Sequence, residues 1–189
     1  CREYGNAQGP CSESSEVKPI EEFGYTKDAL RRDLENICAE SDVDAPWLRV
    51  FYAYGPGQRV DSLVPSLLLS LSHAEEAVLR SANAAHDFIH VEDVAVAVLC
   101  AVERAGTTGI FNVGSGHPTR VSDIAEMVRA VWSGKSLTEE AIICSDGTED
   151  HLGMWADLVR SKELLNWHPE IDLASGVEAM VRWFTRKLS

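Results

Sequence analysis

Short apolar runs that stop at glycine turns alternate with longer helical stretches along this chain, and few folds accommodate that alternation. Trp47–Tyr52 reads as a strand feeding the turn Gly55-Pro56-Gly57. Ile110–Val113 reads as another, closed by Gly114-Ser115-Gly116. Ala77–Leu79, Phe88–His90 and Ile142–Cys144 are shorter strand candidates. Helical patterns cover about Gly24–Glu40, Ser62–Leu71, Glu92–Arg104 and Ser122–Trp132, with short helices near Arg160–Asn166 and Ser175–Leu188. Residues 6–22, rich in Ser, Glu, Gly and Pro, read as a surface loop, and residues 145–156 as irregular chain. Strands interleaved with helices predict an α/β fold with a mostly parallel sheet. With 189 residues, 45% of them hydrophobic, the chain has enough apolar surface for one domain core.

The charge narrows the partners. A formal net charge of −13 argues against nucleic acid or an anionic membrane surface as a partner. No apolar run approaches the roughly 18 residues of a membrane span. No charged-then-apolar leader is visible at the start of this chain. Cys1, Cys11, Cys38, Cys100 and Cys144 are scattered and odd in number, without metal-ligand spacing. They read as buried free thiols of a reducing cytoplasm, and no metal site is expected.

The stretches that carry chemistry are Phe23-Gly24-Tyr25-Thr26-Lys27, Tyr4-Gly5 before it, and Leu48-Arg49-Val50-Phe51-Tyr52-Ala53-Tyr54-Gly55-Pro56 after it. Asp87–Ala95, Phe111–Gly116, Trp155-Ala156-Asp157 and Leu164–Pro169 extend the pattern almost to the end of the chain. Together they resemble the extended short-chain dehydrogenase/reductase family, the NAD(P)-dependent nucleotide-sugar epimerase/dehydratase group. The resemblance implies the C-terminal part of a Rossmann-like parallel sheet plus a small α+β substrate lobe. Residues 1–56 and 91–116 would belong to the Rossmann domain, and 57–90 with 117–189 mainly to the lobe. The family's active-site Ser/Thr would precede Cys1, and its glycine-rich phosphate loop would lie about a hundred residues earlier. The expectation is therefore a tail end of a longer polypeptide. The alternative is a small self-contained α/β protein.

The resemblance also assigns residues. Family members carry Tyr-x-x-x-Lys, in which the ammonium one helical turn from the phenol stabilises the phenolate. That draws the Tyr pKa from about 10 toward neutrality, where it exchanges a proton with a sugar hydroxyl. Here Lys27 holds the Lys place and would bond the ribose of NAD or NADP, with Val50 and Phe51 passing the nicotinamide. The Tyr place is Phe23, which keeps the ring and loses the hydroxyl. Phe23 is open to three readings: an engineered change that traps a complex, a natural variant using another acid/base, or a core aromatic of an inactive chain. Tyr25 lies about 200° around the helix and would face away.

On the substrate side, Tyr52 stands where the family has a diphosphate-binding Asn, and Ser62, Leu63 and Val64 open the substrate lobe. Leu79 lies on the strand against the base, and His86 replaces a phosphate-binding Arg. Arg59 and Arg80 are possible compensating cations. Tyr52 reads equally as a filler aromatic and His86 as an ordinary loop histidine. The dehydratase acid/base pair falls on Cys1 and Arg2, neither of which shuttles protons as a carboxyl pair does. Glu3, one place later, reads as a solvated or salt-bridged acid. The implied activity is transient oxidation of a nucleotide-activated sugar, by an epimerase, dehydratase or reductase that dimerises through helix 24–40. The alternatives are an inactive ligand-binding member of the fold, or a reductase of a smaller substrate without a diphosphate.

Overall fold

The computed structural model describes residues 1–41, 43–75, 77–79, 81–133, 142–144 and 153–188. A 3-10 turn, Arg2–Tyr4, leads into β1 (Gly9–Cys11), α1 (Glu22–Ser41), β2 (Pro46–Val50) and β3 (Tyr52–Tyr54). Then come α2 (Leu63–Ser72), β4 (Ala77–Leu79), β5 (Ala85–His90), α3 (Val91–Glu103) and β6 (Gly109–Val113). The order closes with β7 (Pro118–Arg120), α4 (Val121–Ser133), β8 (Ile142–Cys144), β9 (Met154–Ala156), a π-helical turn at Ser161–Leu165 and α5 (Leu173–Leu188). The α/β class is as expected, and the strand pairs β1–β9, β2–β6, β3–β5 and β4–β8 are parallel. Only β7 runs antiparallel among the described strands, placing Thr119 beside His86 on β5.

The stretch expected as one strand, Trp47–Tyr52, changes partner midway. β2 pairs with β6, Arg49 opposite Asn112, whereas β3 pairs with β5, Tyr52 opposite Phe88. Phe51 is the hinge: its N–H donates to Val113 O at 2.9 Å, and its carbonyl accepts from Ala53 N. Two stretches read as irregular contain a strand each. Gly9–Cys11 lies within the expected loop 6–22 and pairs with Met154–Ala156, within the expected irregular 145–156. Neither is long enough to show a period, and each is held by a partner far away in sequence. Of the four thiols described, all are free, but only Cys11 is fully buried.

The largest apolar cluster joins α2, α4 and α5, with Leu68, Val128, Val177 and Met180 fully buried. Burying each such side chain contributes about 1.5–3 kcal/mol. A second cluster packs Ala97 and Ala101 of α3 against Phe111 and Val113 of β6. Trp167 completes it, its Nε1 donating to Asp93 O at 3.1 Å. Strand β5 divides the two: Phe88 packs on the first cluster and Ile89 belongs to the second. Acids in the 87–95 stretch pin loops as well as opening a helix. Asp87 accepts from Ser115 N, Gly116 N and Ala156 N, joining the glycine turn to β9. Asp93 accepts from the amides of Glu170 and Ile171. The side chain that caps α3 is His90, whose Nδ1 accepts from Glu92 N.

Candidate active site

Helix α1 sets Phe23 and Lys27 one turn apart on the same face. Both line a cavity of about 390 Å³ shared with Cys1, Arg2, Glu3 and Trp47–Val50. The Lys27 Nζ lies 5.4 Å from the Phe23 ring centroid, an ammonium over an aromatic face. Lys27 is half-buried and has no ion pair among the described residues. Phe23 is 60% exposed, so it is not a core aromatic in this structure; it stands on the first turn of α1, where the chain meets the cavity. Tyr25 is likewise exposed and does not line the cavity.

Beneath Lys27 lies a buried ionic floor. Glu3, 4% exposed, accepts from Trp47 Nε1 at 2.8 Å and Arg49 Nε at 2.7 Å. Arg49, 1% exposed, stacks over the Tyr4 ring at 4.6 Å. Arg31 of α1 approaches Glu3 at 3.7 Å and pairs at 2.7 Å with both Asp28 and Glu35. Of the two readings of Glu3, the salt-bridged one is what the fold builds. Both of its oxygens are engaged, so it offers no free base to the cavity. The Tyr4 hydroxyl lies 2.7 Å from Asn112 Oδ1, and burial pushes its phenol up, which removes Tyr4 as a proton carrier near neutrality.

A second cavity, about 410 Å³, opens on the other side of Arg2. Its polar lining is Asn6, Gln8, Tyr52, Ser81 and His86, with Met154 on the apolar side. Tyr52 and His86 are stacked, centroids 4.1 Å apart at 22°. The Arg2 guanidinium lies 5.4 Å from the Tyr52 ring, bridging the two cavities, and pairs with Glu21 at 3.1 Å. Burial lowers the His86 pKa first and the Arg2 charge lowers it further, so both favour the neutral imidazole. Burial likewise raises the Tyr52 phenol.

The structure thus brings Lys27, Phe23 and Val50 to one cavity and Tyr52 and His86 to the other. The remaining expected residues stand elsewhere. Phe51 is buried with Tyr4 and Met154. Val64 and Leu79 are core residues of the α2 cluster, and Leu63 packs against that cluster. Ser62 precedes α2 without a side-chain cap bond. Arg59 is exposed and paired with Asp61 at 2.8 Å. Arg80 falls outside the described residues. Sequence reasoning did not select Asn6, Gln8 or Met154, because lone polar and apolar residues in loops carry no period or spacing. Among the described residues, no group of three or more His, Cys, Asp or Glu could hold a metal ion. No helix among them is long and apolar enough to cross a membrane.

This arrangement has relatives. Residues 1–114, more than half of the chain, match the model of the NAD dependent epimerase/dehydratase family. The dTDP-4-dehydro-6-deoxyglucose reductase of Escherichia coli is 27% identical over 188 residues, covering 95% of this chain and 57% of the relative. A putative GDP-L-fucose synthase 2 of Oryza sativa subsp. japonica is 29% identical over 94% of this chain and 52% of its own length. The chain therefore spans about half the length of these curated relatives. Among solved structures, MoeE5 in complex with UDP-glucose and NAD superposes with a TM-score of 0.84 at 26% identity, covering 100% of this chain and 63% of MoeE5. A tyrosine-to-phenylalanine mutant of the Bacillus cereus UDP-glucuronic acid 4-epimerase, in complex with a fluorinated nucleotide sugar and NAD, superposes at 0.85 with 25% identity, over 98% and 59% of the two chains. Matched motifs, fold and sequence agree, and this chain belongs to the NAD dependent epimerase/dehydratase family.

Proposed function

We propose that this chain forms the catalytic-helix and substrate side of an NAD(P)-dependent enzyme that transiently oxidises a nucleotide-activated sugar. The observation that carries the reading is Lys27: a half-buried ammonium, without a counter-ion among the described residues, lining a cavity in a family of NAD-dependent enzymes. A cation held there suits the hydroxyls of a cofactor ribose, with the Val50 backbone beside it. When bound, the nicotinamide supplies the position that takes up and returns a hydride. The chain's own part is to hold the ribose at Lys27 and to seat the sugar nucleotide in the cavity of Tyr52 and His86. Ser62, Leu63, Val64 and Leu79 would act through backbone at the far side of the substrate lobe.

Residue 23 sets the limit of this chemistry. Phe23 has no hydroxyl, and Glu3 and Tyr4 are both committed to buried partners. None of these three supplies a positioned group for proton transfer at the sugar, and losing such a group typically costs about 10²–10⁴ in rate. That favours a second reading, a member that binds cofactor and sugar nucleotide with little turnover. The tyrosine-to-phenylalanine epimerase mutant among the structural relatives, a complex with both ligands, supports binding without the hydroxyl.

The deciding experiment is Phe23→Tyr in the native-length protein, with sugar-nucleotide turnover measured against NAD+ and NADP+. The expected gain is about 10²–10⁴ in kcat. Absence of any NAD(P) binding by the wild type would remove the reading. The exposed stripe Leu30, Leu34 and Ile37 on α1 would form the homodimer contact. Leu34→Glu should then convert the sedimenting species from two chains to one, and an unchanged dimer would exclude that face.

A further inference from the structure

Within this chain, helix α1 docks by its polar face. Its buried residues are Gly24, Asp28 and Arg31, while Phe23, Leu30, Leu34 and Ile37 are exposed. None of the described apolar clusters includes a residue of α1, and within this chain the helix meets its neighbours through polar contacts and close backbone approach. Gly24 supplies the approach: a Cβ there would lie 2.7 Å from Arg2 O, so α1 sits directly on the 3-10 turn. Glu3 on that turn supplies the polar contact. It is bonded to Trp47 and Arg49 of β2 and faces Arg31 of α1. Arg31 Nε and Arg49 Nη2 are buried without a hydrogen-bond partner, and Glu3 stands between the two guanidinium groups, bonded to Arg49 and facing Arg31, whose other acids Asp28 and Glu35 lie on its own helix. Lys27 is one helical turn before Arg31 and has no ion pair of its own among the described residues. Where its amine stands is decided by the helix.

We propose that Glu3 is a positioning residue that fastens α1 to β2 and thereby sets the position of the Lys27 amine. The proposal deepens the reading of Lys27 as the cofactor-side cation and rests on it. Replacing the carboxylate leaves Arg31 only its partners within α1, Asp28 and Glu35, and removes the acid that joins it to Arg49 of β2, so α1 relaxes away from β2. A shift of about 1 Å at a positioned group is enough to cost about a hundredfold.

The test is a double-mutant cycle on the native-length protein, read by calorimetric titration with NAD+. Glu3→Gln and Lys27→Ala should each weaken NAD+ binding about tenfold or more, and the double variant should bind no more weakly than Lys27→Ala alone. Additive losses overturn the proposal, because Glu3 would then act independently of Lys27. A second readout is the NMR signal of the 13C-methylated Lys27 amine, assigned with Lys27→Arg. It should shift in Glu3→Gln; an unchanged signal in folded protein overturns the proposal. If Glu3→Gln does not fold, the pair Glu3→Leu with Arg49→Met replaces the buried bridge by apolar groups and should show the same displacement of the Lys27 signal. Wild-type protein that binds no NAD+ would sink the cofactor reading, and the NMR signal would still decide whether Glu3 places the amine.

Discussion

Helices α1 and α5 both carry apolar residues at helical spacing, yet within this chain they dock by opposite means. Helix α5 buries Val177, Met180 and Phe184 among α2 and α4. Helix α1 buries Asp28 and Arg31, pairs the two, sets Arg31 against Glu3, and leaves its leucines exposed within this chain. Apolar docking is non-directional and tolerates volume-conserving exchange. Ionic docking depends on angle and distance, and it fails when one partner is lost. Within this chain the element bearing Phe23 and Lys27 is thus held by the less forgiving device, while α2, α4 and α5 supply the largest apolar cluster.

The sharpest way to break this contrast is Glu3→Ala. It strands the buried Arg49 and should cost about 3–5 kcal/mol in urea unfolding, whereas Glu3→Leu with Arg49→Met should recover most of that. A loss below about 1 kcal/mol would mean that α1 is held by something else. Met180→Ala on α5 should cost about 2–5 kcal/mol through lost burial and a residual cavity. Unlike Glu3→Gln, it should leave NAD+ affinity where it was. The smallest effect concerns His86, whose folded pKa lies below the usual 6.5 through burial and the Arg2 charge. Between the two pKa values the unfolded chain holds a proton that the folded chain lacks. Stability is therefore full above pH 6.5 and declines as the pH falls through that value toward the folded pKa. His86→Phe should flatten the acid limb of a Tm-against-pH curve; an identical limb would show that the Tyr52–His86 stack carries no such linkage.

Local chemistry made part of this legible. Glycine turns after Tyr54 and Val113 marked strand ends, and the helical periods placed α2, α3 and α4 to within a residue or two at most ends. The spacing of Phe23 and Lys27 put both on one cavity because four residues span one turn. Other features left no local trace. Gly9-Pro10-Cys11 resembles a turn, and becomes a strand through pairing with Met154–Ala156. Asn6 and Gln8 meet Tyr52 and His86 only because β3 and β5 are neighbours and the Tyr4-Gly5 loop folds over them.

By itself the amino-acid order determined the alternation of strands and helices, the family pattern and the loss of a hydroxyl at residue 23, since these are properties of neighbours along the chain. Tertiary structure alone decided which face of α1 is buried, that Glu3 serves two arginines, and that Arg2 stands between two cavities. A side chain's charge and size are local, whereas its burial and its partners depend on segments up to a hundred or more residues away.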